Sequence, residues 1–282
     1  MQLSIENWHT RRAYGDVEAI RIIAEAGFDA IDFSFNTMHD WDDIMEAPGA
    51  LSYAGKLREY VAECGVSFCQ AHAPLDFQYG MPMEEGKGEF GYIVKSMEFA
   101  AELGIPMIVV HGVETPQRVD IFDYNLAFYN ALAPYCEKYQ IKIAVENLFE
   151  LYAEGTILGR KFGTPESFNK MLSLLDDQYF VGCVDLGHAK LTGYEPHVFL
   201  KAVQEHVQCL HVHCNDGRLD THSLPYLAPF DWDAVMQTLK DINYQGYFNF
   251  ELIGFLGRFE KELLPAALRM AAAAGRHLIG KL

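Results

Sequence analysis

Apolar residues recur along this chain in short, nearly continuous runs rather than in strict alternation. Tyr179 to Val184 is one such run, and it ends in Asp185 and, three residues on, His188. Five more end alike: Phe68 to His72, Met107 to His111, Ile143 to Glu146, Cys209 to His213 and Tyr247 to Glu251. A strand buried on both faces reads as an apolar run, and a charged tip on it costs free energy unless something binds the charge. Six tips of this kind predict one shared site at one end of one sheet.

The segments between the runs have helical spacing. Strands are predicted over Gln2–Asn7, Ala30–Phe35, Ser67–His72, Ile105–His111, Ile141–Glu146, Phe180–Asp185, Cys209–His213 and Tyr247–Glu251. Helices are predicted over Asp16–Ala26, Gly55–Cys64, Phe90–Leu103, Asp120–Gln140, Thr164–Leu175, His197–His206, Asp231–Ile242 and Arg258–Leu278. Asp16 and Asp231 are candidate caps, and Thr164-Pro165-Glu166 is a helix-start signal. Strict alternation implies a parallel sheet. Eight units in 282 residues favour a closed (β/α)8 TIM barrel of one domain, residues 1–282. Three long loops, 36–54 with Trp41, 73–88 and 148–163, all follow strands, and strand-to-helix loops form the functional face of such a barrel. Gly-x-Gly-x-x-Gly follows none of the strands, so no dinucleotide fingerprint is present.

Charge narrows the partners. With 39 acidic and 22 basic residues the net charge is −17, which disfavours a nucleic-acid partner because phosphate backbones are met by clustered Lys and Arg. No stretch approaches the 18 uncharged apolar residues of a spanning helix, so no membrane role is expected. The first eight residues lack the basic start and long apolar region of a signal peptide. Six scattered cysteines read as reduced and buried, which fits a cytoplasmic protein, with Cys214 the one expected near the site. A homo-oligomer is compatible with all of this.

The tips carry the chemistry. Imidazoles and carboxylates converging on one barrel end repel one another or shift their pKa values strongly unless a cation joins them. Oxygen and imidazole donors without thiolate suit Zn²⁺ or Mn²⁺, with Mg²⁺ and Co²⁺ also compatible. His211 and His213 share a strand face. The outer one, His213, is expected at the mouth, and His211 in a deeper layer. His9, His39, His197, His206 and His277 are expected to be structural or exposed, and Trp8, Phe33, Phe35 and Phe149 could wall the pocket.

Ala71-His72-Ala73-Pro74, Val110-His111-Gly112, Val145-Glu146-Asn147, Val184-Asp185-Leu186-Gly187-His188-Ala189, His213-Cys214-Asn215-Asp216-Gly217, Asp220-Thr221-His222 and Phe250-Glu251-Leu252 together resemble the xylose-isomerase-like TIM-barrel superfamily, which includes sugar-phosphate isomerases, ketose 3-epimerases and class II apurinic endonucleases. The resemblance covers nearly the whole chain. It implies one metal held by Glu146, Asp185, His213 and Glu251. In the endonuclease branch His72, His111, His188, Asp220 and His222 would hold further ions, giving one to three in all.

The implied function is a metal-dependent isomerase or epimerase of a sugar or sugar phosphate. It would act through a metal-stabilised enediolate, with Glu146 and Glu251 as acid and base and with His188 and Arg218 binding the carbohydrate. The alternatives are a multi-zinc phosphodiester hydrolase of the class II apurinic endonuclease type, or another lyase or dehydratase on the same barrel.

Overall fold

The computed structural model describes residues 1–35, 45, 47–75, 78–151 and 155–282. His39, Trp41 and most of the loop expected to cover the mouth lie outside the described residues. In order, the elements are β1 (Leu3–Glu6), α1 (Trp8–Tyr14), α2 (Asp16–Ala26), β2 (Ala30–Ser34), α3 (Ala50–Glu63), β3 (Ser67–His72), α4 (Gly88–Glu102), β4 (Met107–Val110), α5 (Ile121–Tyr139) and β5 (Lys142–Glu146). A short hairpin follows, β6 (Glu150–Leu151) and β7 (Ile157–Leu158), then α6 (Pro165–Leu174), β8 (Phe180–Asp185), α7 (Leu186–Leu191), α8 (Pro196–Ala202), β9 (Val207–His211), α9 (Trp232–Asp241), β10 (Phe248–Phe250), α10 (Ile253–Leu256) and α11 (Leu264–Ile279).

The eight core strands pair in parallel in the order β10-β1-β2-β3-β4-β5-β8-β9. A parallel bridge between Val212 and Phe250 spans the remaining gap, with Val212 N donating to Asn249 O at 2.8 Å. The fold is therefore the expected (β/α)8 barrel. The main core lies between barrel and helices and is strongly aromatic, with the Phe33 ring against those of Phe35, Phe68 and Phe99, and Phe35 against Phe99. Inside the barrel, Val109, Ala144, Val181, Cys183 and Cys209 form a separate apolar cluster. Opposite it lies a polar chain. Ser4 Oγ donates to Asn249 Oδ1 at 2.8 Å, and Asp32 Oδ2 accepts from Asn249 Nδ2 at 2.8 Å and Gln70 Nε2 at 2.9 Å.

Local chemistry sets the helix ends. Asp120 and Asp231 accept backbone N–H groups at the starts of α5 and α9, and Thr164 forms a reciprocal capping box with Ser167. Asp16 does not cap α2. Gly15 stands at that position, and the Asp16 carboxylate instead pairs with Arg11 and accepts from Tyr53 Oη at 2.6 Å. α1 was not expected, because Trp-His-Thr-Arg-Arg-Ala-Tyr has no apolar stripe. The closing helix begins at Leu264 rather than Arg258, after α10 and a 3₁₀ turn.

Candidate metal centre

Glu146, the last residue of β5, is the hub. Its carboxylate is 1% exposed and meets four imidazoles. Oε2 lies 2.9 Å from His111 Nε2 and 3.6 Å from His72 Nε2, while Oε1 lies 3.1 Å from His211 Nδ1 and 3.3 Å from His188 Nδ1. Burial works to raise the Glu146 pKa. The positive potential of His211, His111 and His188 outweighs it and holds the carboxyl well below the usual range. His211 also approaches Glu251 Oε2 at 3.4 Å. Donor atoms of Glu146, Asp185, His211 and Glu251 all lie within 4.8 Å of one another, as do those of His72, Glu146 and His211.

A second group of donors sits where β8 and β9 run out. His188, His213, Asp220 and His222 present donor atoms within the same 4.8 Å. His213 Nε2 is 3.1 Å from Asp185 Oδ2, and His222 Nε2 is 2.9 Å from Asp220 Oδ2. His213 and His222 stack with ring centroids 3.9 Å apart. Gly187 makes this possible, because a Cβ there would lie 1.9 Å from His213 Cε1. Asp185 caps α7 through the His188 N–H at 2.6 Å. One Asn147 side chain fixes Asp185, accepting from its N–H at 2.7 Å and donating to its carbonyl at 3.0 Å.

The donor set fits a cation on two counts. First, Nδ1 of His72, His188 and His222 faces the backbone carbonyl of Ala73, Asn147 and Glu251 respectively. A carbonyl only accepts, so each Nδ1 carries the hydrogen, and in the neutral ring each Nε2 is left with the lone pair, as in metal-binding histidines. In His222 that lone pair meets a carboxylate oxygen, an arrangement that needs a proton or a cation between them. Burial resists charging His222, but Glu251 and Asp220 push it up to about 9. Burial likewise resists charging His188, which Asp185, Asp220 and Glu146 raise well above its ordinary value. Second, among the described residues His211 Nε2 and His213 Nδ1 are buried without a hydrogen-bond partner, and Asp185 Oδ2 and His213 Nε2 face only each other, at 3.1 Å and without hydrogen-bond geometry; such groups call for an explanation.

Residues 20–273 match the family described as the xylose isomerase-like TIM barrel. The chain belongs to that family. An uncharacterised protein of Sinorhizobium fredii, y4fM, is 26% identical across 88% of this chain and 86% of its own length. The inosose dehydratase of Clostridium botulinum is 23% identical across 60% of this chain and 64% of its own. Among solved structures, a D-psicose 3-epimerase crystallised in the presence of D-fructose superposes with a TM-score of 0.74 at 16% identity, over 99% of this chain and all of that one. The IolI protein with a bound zinc atom superposes with a TM-score of 0.75 at 18% identity, over 100% and 99% of the two chains.

Within this xylose isomerase-like barrel, all nine tip residues read from the sequence converge on the C-terminal ends of the strands. Arg218 does not join them. It is exposed on the loop where Asp216 Oδ1 accepts the Arg218 and Leu219 N–H groups. His211, expected in a deeper layer, is fully buried and touches Glu146 and Glu251 directly, while His213 stands against Asp185. Two residues at the site were missed. Asn147 was quoted in a motif and given no role. Glu6, at the tip of β1, is 3% exposed, yet its Oε1 has no partner among the described residues. Phe149 does reach the site, edge-on to His188 at 5.2 Å, whereas Phe33 and Phe35 belong to the core. His9 binds the Ile253 carbonyl at 2.8 Å and is structural. Cys214 turns its thiol to the Leu224 carbonyl. A cavity of about 460 Å³ lined by Met107, Gln208, Asn243 and Tyr244 opens at the opposite end of the barrel, away from these groups.

Proposed function

We propose that this protein is a metal-dependent isomerase or epimerase of a sugar or sugar phosphate, with Glu146 and Glu251 as its acid and base. The observation carrying this reading is the buried set Glu146, Asp185, His211 and Glu251, which converges within 4.8 Å on the functional face of a barrel of this family. Glu146, Asp185 and Glu251 would hold one divalent ion with an imidazole from the end of β9. His213 is the ligand that the family pattern implies, and its Nε2 beside the Asp185 carboxylate suits it. His211 touches two of the three carboxylates and is a second candidate. His72 and His111, and separately His188, Asp220 and His222, would hold any further ions. When bound, a divalent cation here supplies Lewis-acid polarisation of a ketose carbonyl and charge stabilisation of the enediolate derived from it.

The chain's own residues do the rest. Glu146 and Glu251 project from β5 and the end of β10 into one cluster. One takes the proton from the carbon beside the carbonyl. The other returns a proton to the opposite face of that carbon, for an epimerase, or to its neighbour, for an isomerase. Phe149 and His188 would line the substrate cavity, and Arg218 would bind substrate only if its loop turned inward.

The psicose epimerase and IolI likenesses suit a small carbohydrate substrate and a zinc ion. The inosose dehydratase relative favours a second reading, in which the same proton abstraction is followed by loss of a hydroxide from the adjacent carbon. The nine-donor array also matches phosphodiester hydrolases of the class II apurinic endonuclease type, but the −17 charge opposes a nucleic-acid groove. The deciding experiment incubates metal-loaded protein with a ketose panel in D₂O. Deuterium at the carbon beside the carbonyl, abolished in Glu251→Gln, supports the reading. Its absence across the panel, or an unchanged Glu251→Gln variant, refutes it.

A further inference from the structure

Among the described carboxylates, Glu6 is out of keeping with its surroundings. It ends β1, where Ile5 pairs with Phe250 and Glu6 pairs with Asp32. Ser4, two residues earlier, meets Asn249 inside the barrel. Alternation therefore turns Glu6 inward, level with Glu251 on one side and Asp32 on the other. Its carboxyl is held fast on one side only, where Oε2 accepts the Trp8 N–H at 2.7 Å. Oε1 is buried and has no partner among the described residues.

A buried carboxyl flanked by two others costs folding free energy, and a half-satisfied one costs more. A cation would relieve it, but no group of donors close enough to share an ion includes Glu6 among the described residues. An ionic partner is also lacking, since no basic side chain pairs with Glu6 in the salt bridges of the described residues. Its electrostatic neighbours are Glu251, Asp32 and His222, all at the candidate site. A neutral hydrogen-bonding ligand that enters with the substrate would satisfy it without adding charge.

We propose that Glu6 Oε1 binds a hydroxyl group of a polyhydroxylated substrate, at a position other than the carbonyl and the exchanging carbon, and so sets which polyols the site accepts. The proposal rests on the carbohydrate reading above but not on the reaction assigned there. A rigid carboxyl oxygen, fixed through Trp8 N–H beside Glu251, rejects a ligand lacking the hydroxyl, because that oxygen is then left unpaired. This role also accounts for the unpartnered oxygen, since sites kept for ligands are commonly less stable than they could be.

The test uses Mn²⁺-loaded protein and sugar alcohols, which have no carbonyl and cannot react. Calorimetric binding of a hexitol and of its singly deoxygenated counterparts is compared between wild type, Glu6→Ala and Glu6→Gln. Wild type should bind one deoxy compound about 10- to 100-fold more weakly than the parent. Glu6→Ala should bind the parent as weakly as that compound and no longer tell the two apart. Both variants should melt at or above the wild-type temperature, whereas a merely structural carboxyl would lower it on removal. Equal polyol affinity in wild type and Glu6→Ala, a uniform loss across all the polyols, or no polyol binding by wild type overturns the proposal. Glu6-dependent polyol binding without deuterium exchange in any ketose keeps it and refutes the isomerase reading instead.

Discussion

Asn147→Ala tests how the site is built. The Asn147 amide is wholly buried and makes both hydrogen bonds to the Asp185 backbone, at 2.7 and 3.0 Å. Its own carbonyl faces His188 Nδ1 at 3.0 Å. Truncation leaves the Asp185 N–H and C=O buried without partners, at about 1–3 kcal/mol each. A water in the vacated space can satisfy part of this, so the expected loss is roughly 2–4 kcal/mol. Urea unfolding of metal-free protein should show the midpoint fall at unchanged slope. Because Asp185 and His188 both take their position from Asn147, metal affinity should fall about 10- to 100-fold as well. Asn147→Asp keeps the acceptor, loses the donor and adds a buried charge, so it should cost at least as much. A loss below about 0.5 kcal/mol, the range of ordinary surface changes, together with unchanged metal affinity, would refute the view that this amide sets the site.

The other expectations concern the ion, the histidines and pH. Adding Zn²⁺ or Mn²⁺ at about 100 times its dissociation constant should stabilise the protein by about 2.7 kcal/mol, reversed by a chelator, and elemental analysis should find one to three ions per chain. Gly187→Ala drives a Cβ to 1.9 Å from His213 Cε1, so it should destabilise by about 1–3 kcal/mol and weaken metal binding; full retention of both would show that His213 stands elsewhere. His211→Ala and His213→Ala, compared for tight metal binding, should reveal which imidazole completes the set of Glu146, Asp185 and Glu251. Burial, with Glu251 and Asp32 adding to it, pushes Glu6 from 4.5 to about 8 against the Trp8 N–H. The folded state then holds a proton that the unfolded state releases near pH 4.5, so this group's contribution is fully present below pH 4.5 and is lost as pH rises towards 8. Metal-free Glu6→Gln should therefore lose less stability than wild type between those values, and parallel melting curves would show that Glu6 titrates normally.

Sequence pattern made the barrel legible because a doubly covered parallel strand must be apolar along its length, and every core strand but the first two ended in a visible charge. Thr164, Asp120 and Asp231 were readable as helix starts for equally local reasons. Levels within the barrel were not readable. His211 and His213 share a face by period two. Which one meets which carboxylate depends on the stagger between strands and on the register shift between Gly182 and Cys183, a property of the closed sheet rather than of any segment. Glu6 escaped notice because Leu3-Ser4-Ile5 is too short and mixed to stand out as a run. Asn147 escaped because its importance lies in a contact 38 residues away.

The tip donors come from β3, β4, β5, β8, β9 and the segment just past β10, spanning residues 72 to 251, and the Val212–Phe250 bridge joins the last two edges. His188, His213, Asp220 and His222 lie close in sequence, but Glu146, Asp185, His211 and Glu251 meet only when the chain from 146 to 251 has folded. Loop-closure entropy must be met across that span before those donors come together. Tight metal uptake during refolding would therefore follow barrel closure, and the ion's binding signal would serve as a clock for the final step of folding rather than for the collapse that precedes it.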